Sequence, residues 1–171
     1  METIQTTAAQ AMQQMITQVL NSWEGQNKVV HTFFAKHADA VYEQEVAPGR
    51  NRGIYLLGHL TATSDGMLPL LGFGERLFPE LEEIFSKSPD RAIAEIPSFE
   101  TLKQHWEKVN EILKTNFAAM TPEQWLQRHT KVSEADFALE PSRNKLSILL
   151  SRTIHQGYHA GQLAFLTPRN A

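Results

Sequence analysis

The chain is 171 residues long and 42% apolar, with a formal charge of -3 and no cysteine. That length suits a single domain over 1–171 whose core needs no disulfide or metal as a staple. The missing cysteine excludes a disulfide framework, a thiolate zinc site and a thiol nucleophile supplied by the protein. With no Lys/Arg cluster, no nucleic acid and no anionic membrane surface is expected as a partner, which leaves small molecules.

Residues 1–15 are polar and helix-like, without a basic stretch leading into an apolar run. No segment is apolar over the length a bilayer requires, so a soluble cytoplasmic protein is expected. Over about 7–45, Met12, Ile16, Val19, Trp23, Val30, Phe33, Phe34 and Val41 recur at steps of three and four. This predicts one long helix, with Asn21-Ser22 and Gly25 as its weak points. Pro48, Gly49, Asn51 and Gly53 mark the turn that closes it. A second helix follows over 54–71, with Leu56, Leu60, Met67 and Leu70 or Leu71 on its buried side and His59 among them. Residues 72–97 carry Gly72, Gly74, Pro79, Pro89 and Pro97 and one short helical candidate at 80–85. A link this long implies a crossover along the whole bundle, with the second and third helices parallel.

Ser98 is the expected N-cap of a third helix with the stripe Leu102, Trp106, Val109, Leu113, Phe117 and Met120. Thr121-Pro122-Glu123-Gln124 reads as a capping box with proline at the first helical position, opening a short helix to about His129. Residues 130–141 read as a loop. The fourth helix starts near Ser142 or Asn144 and is stopped by Pro168. Strand patterns and internal repeats are absent, so the expected fold class is all-α, a four-helix bundle.

The fourth helix holds the unusual stretch. His155 and His159, four apart, point the same way, and Arg152 and Gln162 fall on the same stripe, giving a polar middle to a face that should be apolar. A solvated histidine pair on an amphipathic helix would read the same. Ile154, Leu163 and Phe165, with Leu146, Leu149 and Leu150, argue instead that the face turns inward, and Gly157 and Gly161 that another backbone packs close. Gln156 stands where a His-Glu-x-x-His peptidase keeps its general base, which sets that chemistry aside. His59 reads either as a core residue bonded to a neighbour such as Thr63, or as a third ligand. His59 lies ~9 Å into its helix, and the His155/His159 pair ~15 Å before the end of theirs. They meet if the path is up-down-down-up.

Taken together, the Pro48-Gly49-Arg50-Asn51 turn feeding Gly58-His59-Leu60, and the last helix with His155, His159 and Gly161-Gln162, resemble the DinB-like or YfiT-like metalloenzyme family. The resemblance covers nearly the whole chain. It implies an up-down-down-up bundle and a divalent ion held by His59, His155 and His159. It also implies chemistry like that of characterised relatives, which include transferases and isomerases that use a small thiol such as mycothiol or bacillithiol.

Three neutral imidazoles leave a tetrahedral ion one open position for water or a substrate thiol. Zinc and nickel are the expected ions, ahead of iron, and imidazole suits all three. Arg152 and Gln162 are the candidate catalytic or substrate-binding residues, Arg152 as an anchor for a carboxylate. Their plainer roles are a surface ion pair and a solvated helix end. Tyr55 and Tyr158 either donate into the pocket or pack beside it, and His31, His37, His105 and His129 have no partner at ligand spacing. Two functions stay open: a metal-dependent transferase or hydrolase acting on a small electrophile, and a non-catalytic metal-binding or dimerising bundle. Trp23, Phe33, Phe34, Trp106 and Phe117 exceed what four helix stripes need, which suggests an exposed patch and a homodimer.

Overall fold

A computed structural model describes residues 7–167, and among them there are helices but no strand. α1 (Ala8–Lys36) opens on a capping box in which Thr7 Oγ1 accepts from Gln10 N–H and the Gln10 side chain accepts from Thr7 N–H. It runs unbroken through Asn21-Ser22 and Gly25 but stops short of the expected 45. Tyr42 is the reason. The single turn α2 (Asp39–Tyr42) folds this residue back, so that its hydroxyl donates to the Phe33 carbonyl and accepts from His37 N–H. Its ring, fully buried, stacks on Phe99 at 4.4 Å. One aromatic side chain thus satisfies the frayed end of α1 and draws the chain inward, with no proline or glycine involved.

α3 (Gly53–Asp65) and α4 (Met67–Leu71) replace the single second helix expected over 54–71. Pro69 has no N–H to give the Asp65 carbonyl and its ring would crowd that oxygen, so the helix breaks at Gly66 and restarts. Gly72, at φ 79°, then closes α4 in the left-handed region. The buried Asp65 carboxylate accepts from the Leu77 and Phe78 N–H groups at 2.8 and 3.2 Å, turning the crossover back over α3. There α5 (Glu80–Glu82) runs into one wide π turn, Glu83–Lys87, where a plain helix over 80–85 was expected. The far end of the crossover is held by Arg52, whose backbone N–H and guanidinium donate to Asp90 at 2.8 to 3.2 Å.

α6 (Phe99–Ala119) follows its predicted course, with Ser98 Oγ accepting from Thr101 N–H and Leu102, Trp106, Val109, Leu113 and Phe117 all buried. α7 (Pro122–Trp125) has the expected Thr121/Gln124 box but ends before His129, burying Trp125. α8 (Glu134–Leu139) stands inside the predicted loop, capped by Ser133. None of its residues is buried, so it lacks the apolar stripe by which a helix is read. α9 (Lys145–Leu163) is capped by Asn144 Oδ1, which accepts from Ser147 N–H, and it finishes in a 3-10 turn, Ala164–Leu166. The Pro168 stop signal lies outside the described residues.

α1 packs on α9 and α6, and α3 packs on α6 and α9. One apolar cluster joins Phe34, Tyr42, Leu56, Leu60, Phe85 and Trp106, and the other joins Trp23, Met67, Leu113, Phe117, Trp125 and Leu149. Trp23, Phe34, Trp106 and Phe117 are therefore core, with Phe33 packed against it, which corrects the exposed patch expected of them. Exposed apolar side chains include Met15 and Val29 on α1, Leu139 on α8, and a group on and just after α9, where Ile154 is 72%, Tyr158 63% and Phe165 78% exposed. Ile154 and Phe165 thus point outward, so they do not drive the histidine face inward. No helix among the described residues is long and apolar enough to cross a membrane.

Candidate metal centre

His59 on α3 and His155 and His159 on α9 come together between the two helices, with their ligand atoms all within 4.8 Å of one another. Nε2 of His155 lies 3.0 Å from Nε2 of His59 and 3.0 Å from Nε2 of His159. No fourth histidine, Asp or Glu joins them among the described residues.

The protons on these rings can be assigned from their outer partners. His59 Nδ1–H donates to the Phe85 carbonyl at 2.7 Å, and His159 Nδ1–H donates to Gln162 Oε1 at 2.7 Å. Both Nε2 atoms therefore carry lone pairs, because a neutral imidazole has one proton. His155 faces both of them, and its Nδ1 is buried without a partner. A proton on His155 Nε2 could satisfy only one neighbour and would leave Nδ1 bare. A cation shared by the three nitrogens satisfies all three lone pairs at once, with the His155 proton then on its unpartnered Nδ1. With ligand bonds of ~2.0–2.1 Å, nitrogens around one ion stand ~2.9 Å apart at a right angle and ~3.4 Å apart in a tetrahedron; the 3.0 Å from His155 to each of the other two fits that range, and the His59 and His159 ligand atoms lie within 4.8 Å of each other.

Burial also holds all three rings in the form a metal needs. Loss of solvent is the main cause in each case, lowering His59 and His159 below the ordinary imidazole range. It takes His155 to about 4, where the charges of the other two rings and Arg152 add to it. The outer hydrogen bonds fix ring orientation, as is usual for ligating histidines. One of them comes from the π turn of the crossover, whose Phe85 ring lies directly on α3. A Cβ on Gly58 would stand 2.5 Å from Phe85 Cδ1 and Cζ, so only glycine admits it there.

Of the other sequence candidates, Gln162 is on the site through His159. Arg152 lies one turn before His155 on α9, half-buried, with an unpartnered Nε and no hydrogen bond or ion pair among the described residues. Thr63 is not the partner of His59; its hydroxyl donates to the Leu60 carbonyl. Tyr55 lies parallel to the His59 ring at 6.3 Å and its hydroxyl is spent on the Ser88 carbonyl, while Tyr158 sits edge-on to His159 and faces outward. Gln156 is turned away from the histidines, donating to Asn27 Oδ1 on α1 at 2.9 Å. His105 stacks on Phe78 at 3.6 Å, and His31 is exposed beside Glu107. Gly157 and Gly161 admit no close backbone: a Cβ would meet only the Gln26 side chain at 3.5 Å in the first case and nothing within 4 Å in the second. Sequence reasoning missed the Phe85 carbonyl, because a backbone acceptor has no residue-type signature.

A hollow of about 1130 Å³ between α1 and the C-terminal end of α9 contains none of the three histidines. Donor chemistry marks the site here, and size does not. No protein-family model matches the sequence, and no curated protein matches it either.

Proposed function

We propose that the chain is a divalent-metal-dependent enzyme of the DinB-like type, acting on a small molecule as a thiol-dependent transferase or as a hydrolase. The observation that carries this reading is the convergence of three Nε2 lone pairs, with tautomers fixed from outside and no fourth protein ligand among the described residues. Three ligands suit a centre with an open position, where a closed structural site would have four. The family reading also requires an up-down-down-up bundle of α1, α3, α6 and α9. Several contacts support that path. Trp23 meets Phe117 and Phe34 meets Phe99, so α1 opposes α6. His59 and the His155/His159 pair each lie about six residues, or ~9 Å, from the meeting ends of α3 and α9.

When bound, a zinc, nickel or iron ion at this position would supply positive charge that lowers the pKa of water to ~7 or holds a thiol as thiolate. The chain's own residues hold the three imidazoles neutral and aimed, through Phe85 on one side and Gln162 on the other. With no cysteine in the sequence, a reacting thiol arrives with the cosubstrate. Arg152, one turn away, is the group available to orient an anionic substrate. The test is to strip and reload the protein and to screen it with low-molecular-weight thiols and small electrophiles, and with simple esters and amides. Turnover that vanishes on chelation and returns with divalent ion supports the enzyme reading; equal background rates with and without metal across the screen overturn it.

The non-catalytic reading has one specific support, the uncharged outer line of Leu150, Ile154, Tyr158 and Phe165, which a second copy would cover. Sedimentation at twice the chain mass, lost in Ile154→Glu, would favour assembly. A monomer at high concentration would remove it.

A further inference from the structure

A second cavity, about 370 Å³, opens one turn from the histidines on both helices that carry them. Thr63 lies four residues beyond His59 on α3, and Arg152 three residues before His155 on α9, so the cavity continues the metal face toward the other end of these helices. Arg76 and Ser86 from the crossover and Lys131 from the loop after α7 complete its polar lining, together with one carboxylate, Glu82. Arg76 is fully engaged: Nη1 donates to the Ala62 carbonyl at 2.9 Å, and Nη2 pairs with Glu82 at 3.2 Å. Glu82 is thereby neutralised, and its other oxygen lies 3.8 Å from Lys87.

Arg152 is not compensated. Its Nε is buried without a partner, no carboxylate pairs with it among the described residues, and the nearby Arg76 charge works against it in the same direction as burial. A desolvated cation without a counter-charge is costly to fold, and chains keep such groups where an anion completes them. The Ser86 hydroxyl adds a neutral donor, Thr63 lines the wall with its O–H given to the Leu60 carbonyl, and Lys131 is a further exposed charge at the rim.

We propose that this cavity binds the oxyanion group, carboxylate or phosphate, of a small-molecule substrate, with Arg152 as its forked contact and Lys131 and Ser86 around it. A guanidinium offers paired N–H donors that match either group. The rest of the molecule then reaches the histidines, about one helical turn or ~5 Å away. The placement beside a metal centre rests on the reading given above, but anion binding itself does not, so the two can fail separately.

The probes are inorganic phosphate and succinate, titrated calorimetrically into metal-stripped protein. Saturable binding is expected for at least one of them, and the tighter names the group. Arg152→Met should weaken it at least ten-fold and Lys131→Ala a few-fold, whereas His155→Ala, which removes metal, should leave it unchanged. Without anion, Arg152→Met should raise the urea midpoint of the protein, since it removes an uncompensated, half-buried charge; a merely structural arginine would lower it. Absence of saturable binding of both probes to wild type up to about 10 mM, or equal binding by Arg152→Met, overturns the proposal. Anion binding that survives while wild type takes up no metal overturns the metal reading alone.

Discussion

Gly58→Ala tests how the crossover builds the metal centre. The added Cβ would stand 2.5 Å from two carbons of the Phe85 ring, where carbon atoms ordinarily pack at ~3.5–4.0 Å, so ring or helix must yield by about 1 Å. Phe85 has little room to yield: it is fully buried and lies against Tyr55, with ring centres 5.6 Å apart. Overpacking of this kind costs about 1–3 kcal/mol, and replacing a helical glycine returns about 1 kcal/mol, leaving a net loss of roughly 0–2 kcal/mol. The larger effect falls on the metal. Displacing Phe85 moves the carbonyl that holds His59 Nδ1–H, and loss of such a partner typically lowers metal affinity ~10–100-fold. Urea midpoints of stripped protein and competition with a chromophoric chelator measure the two effects. Gly161→Ala is the control, because its Cβ meets nothing within 4 Å and should stabilise α9 by about 0.5–1 kcal/mol. If Gly58→Ala behaved like that control in both assays, the seating of Phe85 on α3 would be wrong.

Gln162→Ala removes the acceptor of His159 Nδ1–H and should weaken metal binding ~10–100-fold with little change in helicity, as read by chelator competition and circular dichroism. Tyr42→Phe deletes the hydroxyl that ends α1 and should cost about 0.5–1.5 kcal/mol in urea unfolding; an unchanged midpoint would mean the helix ends for another reason. The stripped protein should lose stability as pH falls from about 6.5 toward about 4. Its histidines are held below their ordinary range when folded, so the unfolded chain takes up protons first. His155→Gln should flatten that slope, and a slope that persists in full in this variant would assign it to other groups.

Where the sequence speaks through periodicity and caps, the helices follow it. The stripe from Leu102 to Phe117 and the caps at Ser98 and Thr121 stand at their expected places, and Asn144 is the one of the two expected starts that caps α9. The failures have physical causes that a linear pattern does not carry. α1 is ended by a tyrosine from downstream, α3 by a proline three residues past the break, and α8 hides because it buries nothing. The histidine cluster was legible because spacing on one helix and level on another are both set by the 1.5 Å rise. Its supports were only half legible, since Gln162 is a side chain on the same stripe and Phe85 contributes a backbone oxygen. Arg76 and Lys131 enter the neighbouring cavity from irregular segments, where no periodicity predicts facing. The apolar residues near the histidines misled in part: Leu149 and Leu163 face inward as expected, but Leu150, Ile154 and Phe165 form an outer line.

The most direct measurement is metal content, by elemental analysis, of the wild type and of His59→Ala, His155→Ala and His159→Ala after identical loading with divalent ion, with circular dichroism alongside. About one equivalent is expected in the wild type and little in each variant, at nearly unchanged helicity, because a core of this size does not depend on an ion to fold. Wild-type occupancy in all three variants would contradict the three-histidine centre.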